Sequence, residues 1–199
     1  MWGLERSRLK IIRFRVNLFE MIVEGLETKR LAFRRLEMED TIRWMEFVDH
    51  PEAVKFLWFD RADEQAAIAW LEKQLGRYEK GTGGLCAVCL RSTGEMVGQC
   101  GLLLQEVQGE MMWEVGYHFI PEYWGQGYAS EAANACRDFG FQNSDTGHII
   151  SIIADQNYTS RAVARRNGMQ PWKKIDHRGL TVDIWNIDRS EWEGMISEF

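Results

Sequence analysis

The sequence has no apolar run long enough to cross a bilayer, which needs about 20 consecutive apolar residues. Its N-terminus also lacks the apolar segment and small-residue cleavage site of a secretory signal. We therefore expect a soluble, cytoplasmic protein that makes no membrane contact. A net charge of −6 argues against nucleic acid as a partner, because phosphate binding favours a basic surface.

The four cysteines lack the spacing of a disulfide framework or a zinc site. Cys86 and Cys89 form a Cys-x-x-Cys pair within an apolar, strand-like run, where their odd separation places them on opposite faces. They cannot then bind one metal ion, and no second Cys or His pair completes a zinc site. Together with Cys100 and Cys136 they are predicted to be buried, reduced thiols, and we expect no metal.

The first twenty residues differ in composition from the rest of the chain. They contain five basic residues against two acidic ones, and their apolar residues recur at helical spacing. Membrane-surface contact is one interpretation, but we favour an extension that packs on the domain or on a neighbouring subunit. We therefore expect a basic extension (1–20), a single domain (21–199) and a homodimer.

Apolar periodicity and turn signals predict alternating strands and helices in the order β-α-α-β-β-β-α-β-α-β-β. Predicted strands cover 29–36, 85–90, 96–105, 111–120, 149–154 and two segments within 172–187. Predicted helices cover 37–48, 51–56, 63–79, 126–141, 157–167 and 190–197. A helix between two strands makes that pair parallel, whereas hairpins make the earlier strands antiparallel. The sequence therefore predicts an α/β protein with a mixed sheet of about seven strands and helices on both faces.

A glycine turn between a strand and a helix is the most informative segment. Its residues are Phe119, Ile120, Trp124, Gly125, Gln126, Gly127, Tyr128, Ala129 and Ser130. Glycines let the backbone approach a ligand, and the unpaired N–H groups of a helix N-terminus favour an anion, so this turn predicts a phosphate site. A P-loop needs Lys and Ser or Thr after the glycines, and a dinucleotide fingerprint needs glycine in place of Ser130. A coenzyme A pyrophosphate site is the remaining interpretation.

The segment Trp124-Gly-Gln-Gly-Tyr-Ala-Ser-Glu-Ala132 resembles motif A of the GCN5-related N-acetyltransferase (GNAT) superfamily, especially its branch that acetylates ribosomal-protein N-termini. Residues 26–36 are similar to the opening strand of that branch, 114–117 to its fourth strand and Asn157-x-x-Ser160 to its second cofactor motif. The resemblance spans about residues 21–190. It implies a GNAT-like fold and an enzyme that transfers acetyl from acetyl-CoA directly to an amine.

A peptide or protein N-terminus is the acceptor that the resemblance implies. A small-molecule amine, such as an antibiotic or polyamine, is one alternative. A catalytically silent acyl-CoA-binding module is another.

The resemblance also implies two catalytic roles. Glu114 is the candidate general base, with a salt-bridged strand carboxylate as the alternative. Ser160 is the implied proton donor to the thiolate, because Ala164 occupies the position where many relatives have a tyrosine. Helix capping is the alternative for Ser160. His118 is a second base candidate by its intrinsic pKa, although a structural histidine is the favoured interpretation.

Further residues are assigned to binding. Asn157 is expected to bind the pantetheine arm and Arg161 the phosphates, together with the residues of the glycine turn. Trp58 and Trp113, with His118, are candidates for the wall of an aromatic acceptor pocket. Core packing and oligomer contact are the alternatives, which we favour for most of the tryptophans.

Overall fold

The computed structural model describes residues 21–57, 63–177 and 179–197, which contain a seven-stranded mixed sheet. Its strands are β1 (Leu31–Arg34), β2 (Gly83–Leu90), β3 (Met96–Val107), β4 (Glu110–Phe119), β5 (His148–Ala154), β6 (Gln170–His177) and β7 (Leu180–Asp188). They lie in the order β1-β2-β3-β4-β5-β7-β6. Neighbours are antiparallel except β4 and β5, which are parallel. The predicted α/β class and mixed sheet are therefore confirmed.

Helices cover both faces of this sheet, also as predicted. They are α1 (Thr41–Val48), α2 (Pro51–Val54), α3 (Glu64–Glu79), α4 (Tyr128–Asn143), α5 (Tyr158–Arg166) and α6 (Arg189–Ser197). Helices α1 and α3 pack on one face, and α4 and α5 pack on the other. Residues 1–20 lie outside the described residues, so the extension and the homodimer stay predictions.

Alternation along β4 divides its side chains between the two helical layers. Trp113, Val115 and Phe119 join the core cluster that α4 and α5 cover. His118 instead packs against aromatic rings of α1 and α3. Gly116 and Glu114 lie on the same face of β4 as His118, because they precede it by two and four residues.

The largest boundary difference is at the start of α1, where a 3₁₀ turn over Met38–Asp40 precedes the α-helix, which begins at Thr41 and not at residue 37. The start of α4 differs as well, since it begins at Tyr128 and not at residue 126. Gly125 and Gly127 have φ of +75° and +80°, in the left-handed region that favours glycine, so the turn extends further than periodicity predicts. The glycines therefore shape the turn and do not join the helix.

The four cysteines are buried and free. Cys86 packs in the cluster beneath α4 and Cys89 in the cluster beneath α1 and α3, so the two thiols lie on opposite faces. In the described ranges no three His, Cys, Asp or Glu side chains form a group that could hold a metal ion. Within the same ranges no helix is both long and apolar enough to span a bilayer.

Close pairing of β3 and β4 depends on Gly98. A Cβ at this position would lie 2.6 Å from the His118 carbonyl oxygen and 2.8 Å from the Phe119 ring. Because a backbone atom cannot move aside cheaply, we expect Gly98→Ala to lower the free energy of unfolding by about 1–3 kcal/mol, measured by urea denaturation. Gly147→Ala is the control, since its Cβ would meet nothing within 4 Å. Equal stability of the two variants would contradict this packing argument.

Candidate active site

The site is built around a split between β4 and β5. The two parallel strands share one register pair, Glu114 with Ile150, and they diverge beyond it. Ser151 Oγ donates to the Val115 carbonyl oxygen at 2.8 Å, so a side chain takes an acceptor that a regular ladder would use. The prediction of a strand buried on both faces did not identify this contact.

A cavity of about 810 Å³ occupies the split. Its lining includes Phe47, Trp70 and Lys73 from the α1–α3 layer, Ala129, Ser160 and Val163 from the α4–α5 layer, and residues 114–119 and 151–154 of the two strands. Because both helical layers and both diverging strands line it, the cavity passes through the sheet. Its size is that of a site for a small organic molecule.

The glycine turn lies beside the cavity, and its Trp124 and Ala129 line it. Gly127 is the N-cap residue of α4, and no described side chain caps that helix, so its first N–H groups stay available to an anion. A Cβ at Gly125 would meet nothing within 4 Å, which shows open space over the turn. Trp124 Nε1 donates to the Phe119 carbonyl oxygen at 2.6 Å and closes the loop.

Two arginines that the sequence analysis missed lie beside this turn. Arg30 Nη1 donates to the Gln126 carbonyl oxygen at 2.9 Å, and its guanidinium lies 4.5 Å from the centre of the Tyr128 ring. Arg166 Nε donates to Ser130 Oγ at 2.8 Å. Both positive charges, added to the helix dipole, suit a diphosphate.

Glu131 anchors Arg30 to α4. Its carboxylate pairs with Arg30 Nε at 2.6 Å and accepts from Thr28 Oγ1 at 2.6 Å. Burial opposes ionisation, but the hydrogen bonds from Thr28 and Arg30 and the charge of Arg30 together lower the pKa of Glu131. Glu131 is thus a structural carboxylate that connects the segment before β1 to the start of α4.

Glu114 lies in the split, on the wall of the cavity. Its Oε2 accepts from Gln105 Nε2 at 2.7 Å, and its Oε1 accepts from the Ile152 N–H at 3.4 Å. Burial raises the pKa of Glu114 above its ordinary value, although these two bonds and the charges of Arg77 and Lys73 oppose the shift. A carboxylate with a raised pKa is a stronger base near neutral pH.

His118 is an aromatic wall of the cavity and is neutral at physiological pH. Burial, with a contribution from the charge of Lys73, lowers the pKa of His118 to about 4. Its ring centre lies 5.0 Å from that of Trp70 and 5.7 Å from that of Phe47, both edge to face. This arrangement favours the structural interpretation of His118 over a second base.

Asn157 and Ser160 both line the cavity from the start of α5. Asn157 Oδ1 accepts from the Ser160 N–H at 3.0 Å, so Asn157 and not Ser160 caps the helix. Tyr117, a residue that the sequence analysis missed, donates its hydroxyl to the Ser160 carbonyl oxygen at 2.9 Å. This bond connects β4 to α5 across the split, and burial raises the pKa of Tyr117, so the phenol stays protonated.

Of the predicted site residues that the structure describes, eight do not line the cavity. Five belong to the glycine turn, whose Trp124 and Ala129 do line it: Gly125, Gln126, Gly127, Tyr128 and Ser130. The other three have different surroundings. Arg161 donates to Asp155 at 2.6 Å and also to Asp183, so it forms an ion-pair network at the ends of β5 and β7. Trp113 is buried in the core on the α4 side, away from the Glu114 face, as strand alternation requires. Ile120 is buried in the cluster beneath α1 and α3. Trp58 lies outside the described residues.

Residues 30–170 match the family model of an acetyltransferase (GNAT) domain. The chain belongs to the GNAT acetyltransferases. YkkB of Bacillus subtilis is 32% identical over 162 residues, which are 81% of this chain and 90% of that protein. A crystal structure of an acetyltransferase from Agrobacterium tumefaciens, 26% identical, has a TM-score of 0.70 and covers 81% of this chain and 92% of that one.

RimL, a ribosomal L7/L12 α-N-protein acetyltransferase solved in complex with coenzyme A, has the same fold. It is 15% identical, with a TM-score of 0.65, over 82% of this chain and 97% of that one. The GNAT family uses acetyl-CoA. In this GNAT acetyltransferase the uncapped start of α4, the two arginines and the split sheet fit a diphosphate with a long thiol-bearing arm.

Proposed function

We propose that this acetyltransferase transfers acetyl from acetyl-CoA directly to an amine, with Glu114 as the general base. One observation supports this most strongly: the Glu114 carboxylate lies in the split, where one cavity reaches both helical layers. A base at this point can take a proton on one side of the sheet while the acyl donor binds on the other.

The α4–α5 layer is the proposed side for acetyl-CoA. The first N–H groups of α4, with Arg30 and Arg166, would hold the diphosphate, and Asn157 and the open edge of β4 would bind the pantetheine amides. Arg161 is left out of this set because two carboxylates bind its guanidinium away from the turn, whereas Arg30, although paired with Glu131, contacts the turn itself. Bound acetyl-CoA supplies the thioester carbonyl that the amine attacks.

Two side chains carry the proposed proton transfers. Glu114 accepts the ammonium proton, which lets the nitrogen form the new C–N bond as the C–S bond breaks. Ser160 donates its hydroxyl proton to the departing sulfur and regains one from water. Orientation by the cavity walls supplies the remaining rate enhancement, and no covalent enzyme intermediate is needed.

The α1–α3 layer is the proposed acceptor side. Phe47, Phe56 and Trp70 provide aromatic walls there. The positive charges of Lys73 and Arg77 act on Glu114 and disfavour polycationic amines near it. We therefore propose a peptide or protein N-terminus as the acceptor, in agreement with the motif resemblance to the ribosomal branch, ahead of polyamines or antibiotics.

Thiol release from acetyl-CoA in the presence of different amines tests this function. We expect turnover with peptides that have a free N-terminus and none with the same peptides N-acetylated, while spermidine and an aminoglycoside are poorer acceptors. Turnover with a small amine but not with peptides would instead support a small-molecule acetyltransferase. Coenzyme A binding without turnover on any amine would contradict the proposal and favour a silent acyl-CoA-binding module.

Ser160→Ala tests the proton donor. We expect kcat to fall by about 10- to 100-fold, with an unchanged thermal unfolding midpoint, because Asn157 still caps α5. Steady-state kinetics and a melting curve measure both quantities. Ser190→Ala, at an exposed position in the first turn of α6, is the matched control. A lower melting temperature with unchanged kcat would show that Ser160 has only a structural role.

A further inference from the structure

Gln105 connects an arginine to the proposed base. It lies on β3, diagonal to Glu114, because the register pairs Leu103 with Glu114 and Gln105 with Met112. Its Nε2 donates to Glu114 Oε2 at 2.7 Å. Its Oε1 accepts from Arg77 Nη2 at 3.3 Å. All three side chains line the same cavity.

The chemistry of these partners determines the orientation of the Gln105 amide. A guanidinium has only donors and an ionised carboxylate has only acceptors. The amide oxygen must therefore face Arg77 and the amide nitrogen must face Glu114, since rotation by half a turn would lose both bonds. Arg77, a residue of α3, also donates from Nη1 to the Leu104 carbonyl oxygen of β3 at 3.3 Å.

We infer that Gln105 is a positioning residue for Glu114: it occupies Oε2 and leaves Oε1 as the oxygen that accepts the proton of the acceptor amine. This inference rests on the proposed function, because it presumes that Glu114 is the base. Oε1 has only a long contact with the Ile152 N–H, 3.4 Å, so it can exchange that partner for an incoming ammonium.

The charges around Glu114 make this hydrogen bond measurable. Arg77 and Lys73 of α3 face it, and His118 on its own strand stays neutral, while Tyr117 stays protonated. His177 of β6 lines the same cavity. The bond from Gln105 favours ionised Glu114 and partly offsets the effect of burial, so its loss raises the pKa of Glu114 further.

Two substitutions of Gln105 should raise the pKa of Glu114 by different amounts. Gln105→Met keeps the length and removes the donor, and we expect an increase of about one unit. Gln105→Glu places a second carboxylate against Oε2 while Arg77 keeps that new group ionised, and we expect a larger increase of about two units. A purely structural role of Gln105 does not predict this order.

The pKa is read by ¹³C NMR titration of the Glu114 carboxyl in the full chain without ligand, with the signal assigned by Glu114→Gln. The acid limb of the pH profile of kcat/KM should also move to higher pH, by more in Gln105→Glu than in Gln105→Met. Gln142→Met, at an exposed position near the end of α4, is the matched control and should move neither quantity.

The outcomes separate this inference from the proposed function. An unchanged Glu114 titration in both Gln105 variants overturns the inference, whatever the enzyme acetylates. If the pKa of Glu114 shifts but no amine is acetylated, the hydrogen bond from Gln105 to Glu114 is supported and the proposed function is contradicted. Shifted titrations with a matching shift of the acid limb support both.

Discussion

Glu114→Gln is expected to lower kcat by about 10²- to 10³-fold and to leave the Kd for acetyl-CoA unchanged. The amide keeps the shape of the side chain but cannot accept the ammonium proton. Because the proposed diphosphate contacts lie at the glycine turn and not at Glu114, we expect the affinity for acetyl-CoA to be set there and not by the charge of Glu114. Steady-state kinetics and calorimetric titration with acetyl-CoA measure the two effects separately.

The pH profile of this variant provides a second observation. Glu114 must be ionised to act as a base, so wild-type kcat/KM falls as pH decreases through the pKa of Glu114, which burial raises above its ordinary value. We expect that acid limb to disappear in Glu114→Gln. Glu110→Gln, at the exposed start of the same strand, is the matched control and should retain both rate and profile. An unchanged rate and profile in Glu114→Gln would show that another group or a water chain is the base.

Gly125→Ala and Gly127→Ala are expected to weaken coenzyme A binding by about tenfold or more. Each residue has a positive φ, so a side chain strains the turn by about 1–2 kcal/mol. The added methyl group also occupies the space through which a diphosphate approaches the backbone N–H groups of α4. Calorimetric titration with coenzyme A gives the change in Kd.

Gly94→Ala separates strain from lost binding. Gly94 lies between β2 and β3 with φ of +76°, and its Cβ would meet nothing within 4 Å, as at Gly125. The two substitutions should therefore cost similar amounts of stability in urea denaturation, but only Gly125→Ala should raise the Kd for coenzyme A. Equal affinity in both variants would place the diphosphate elsewhere.

The fold could be predicted from the sequence because its signals are local. Apolar periodicity identified the strands and helices, and the helix between β4 and β5 implied the parallel pair. The glycine turn was identifiable because the backbone conformation of Gly125 and Gly127 demands a residue without a side chain. Element boundaries differed at the start of α4, where the glycines continue the turn, and more at the start of α1, where a 3₁₀ turn precedes the α-helix.

The parts of the site that sequence reasoning missed all depend on contacts between distant segments. Arg30 reaches the turn from the segment before β1, and Arg166 reaches it from the end of α5. Gln105 meets Glu114 only because of the register of β3 and β4. Ser151 takes the Val115 carbonyl oxygen through a side-chain bond to another strand. The spacing of residues along the sequence does not predict these contacts.

Two predicted site residues have other surroundings in the structure. Arg161 follows Ser160 in the cofactor motif, but two carboxylates from other elements hold its guanidinium. Trp113 precedes Glu114 in a strand, and alternation places adjacent side chains on opposite faces. Assigning Glu114 to the cavity therefore already excluded Trp113 from the same wall, a conclusion that the sequence alone could have supplied.

A crystal structure with coenzyme A bound tests the central claim most directly. The account predicts that the diphosphate contacts the backbone N–H groups at the start of α4 beside Arg30 and Arg166. It also predicts that the thiol lies in the split between β4 and β5, within reach of Ser160 and facing Glu114. A diphosphate away from the glycine turn, or a thiol that ends outside the split, would contradict it.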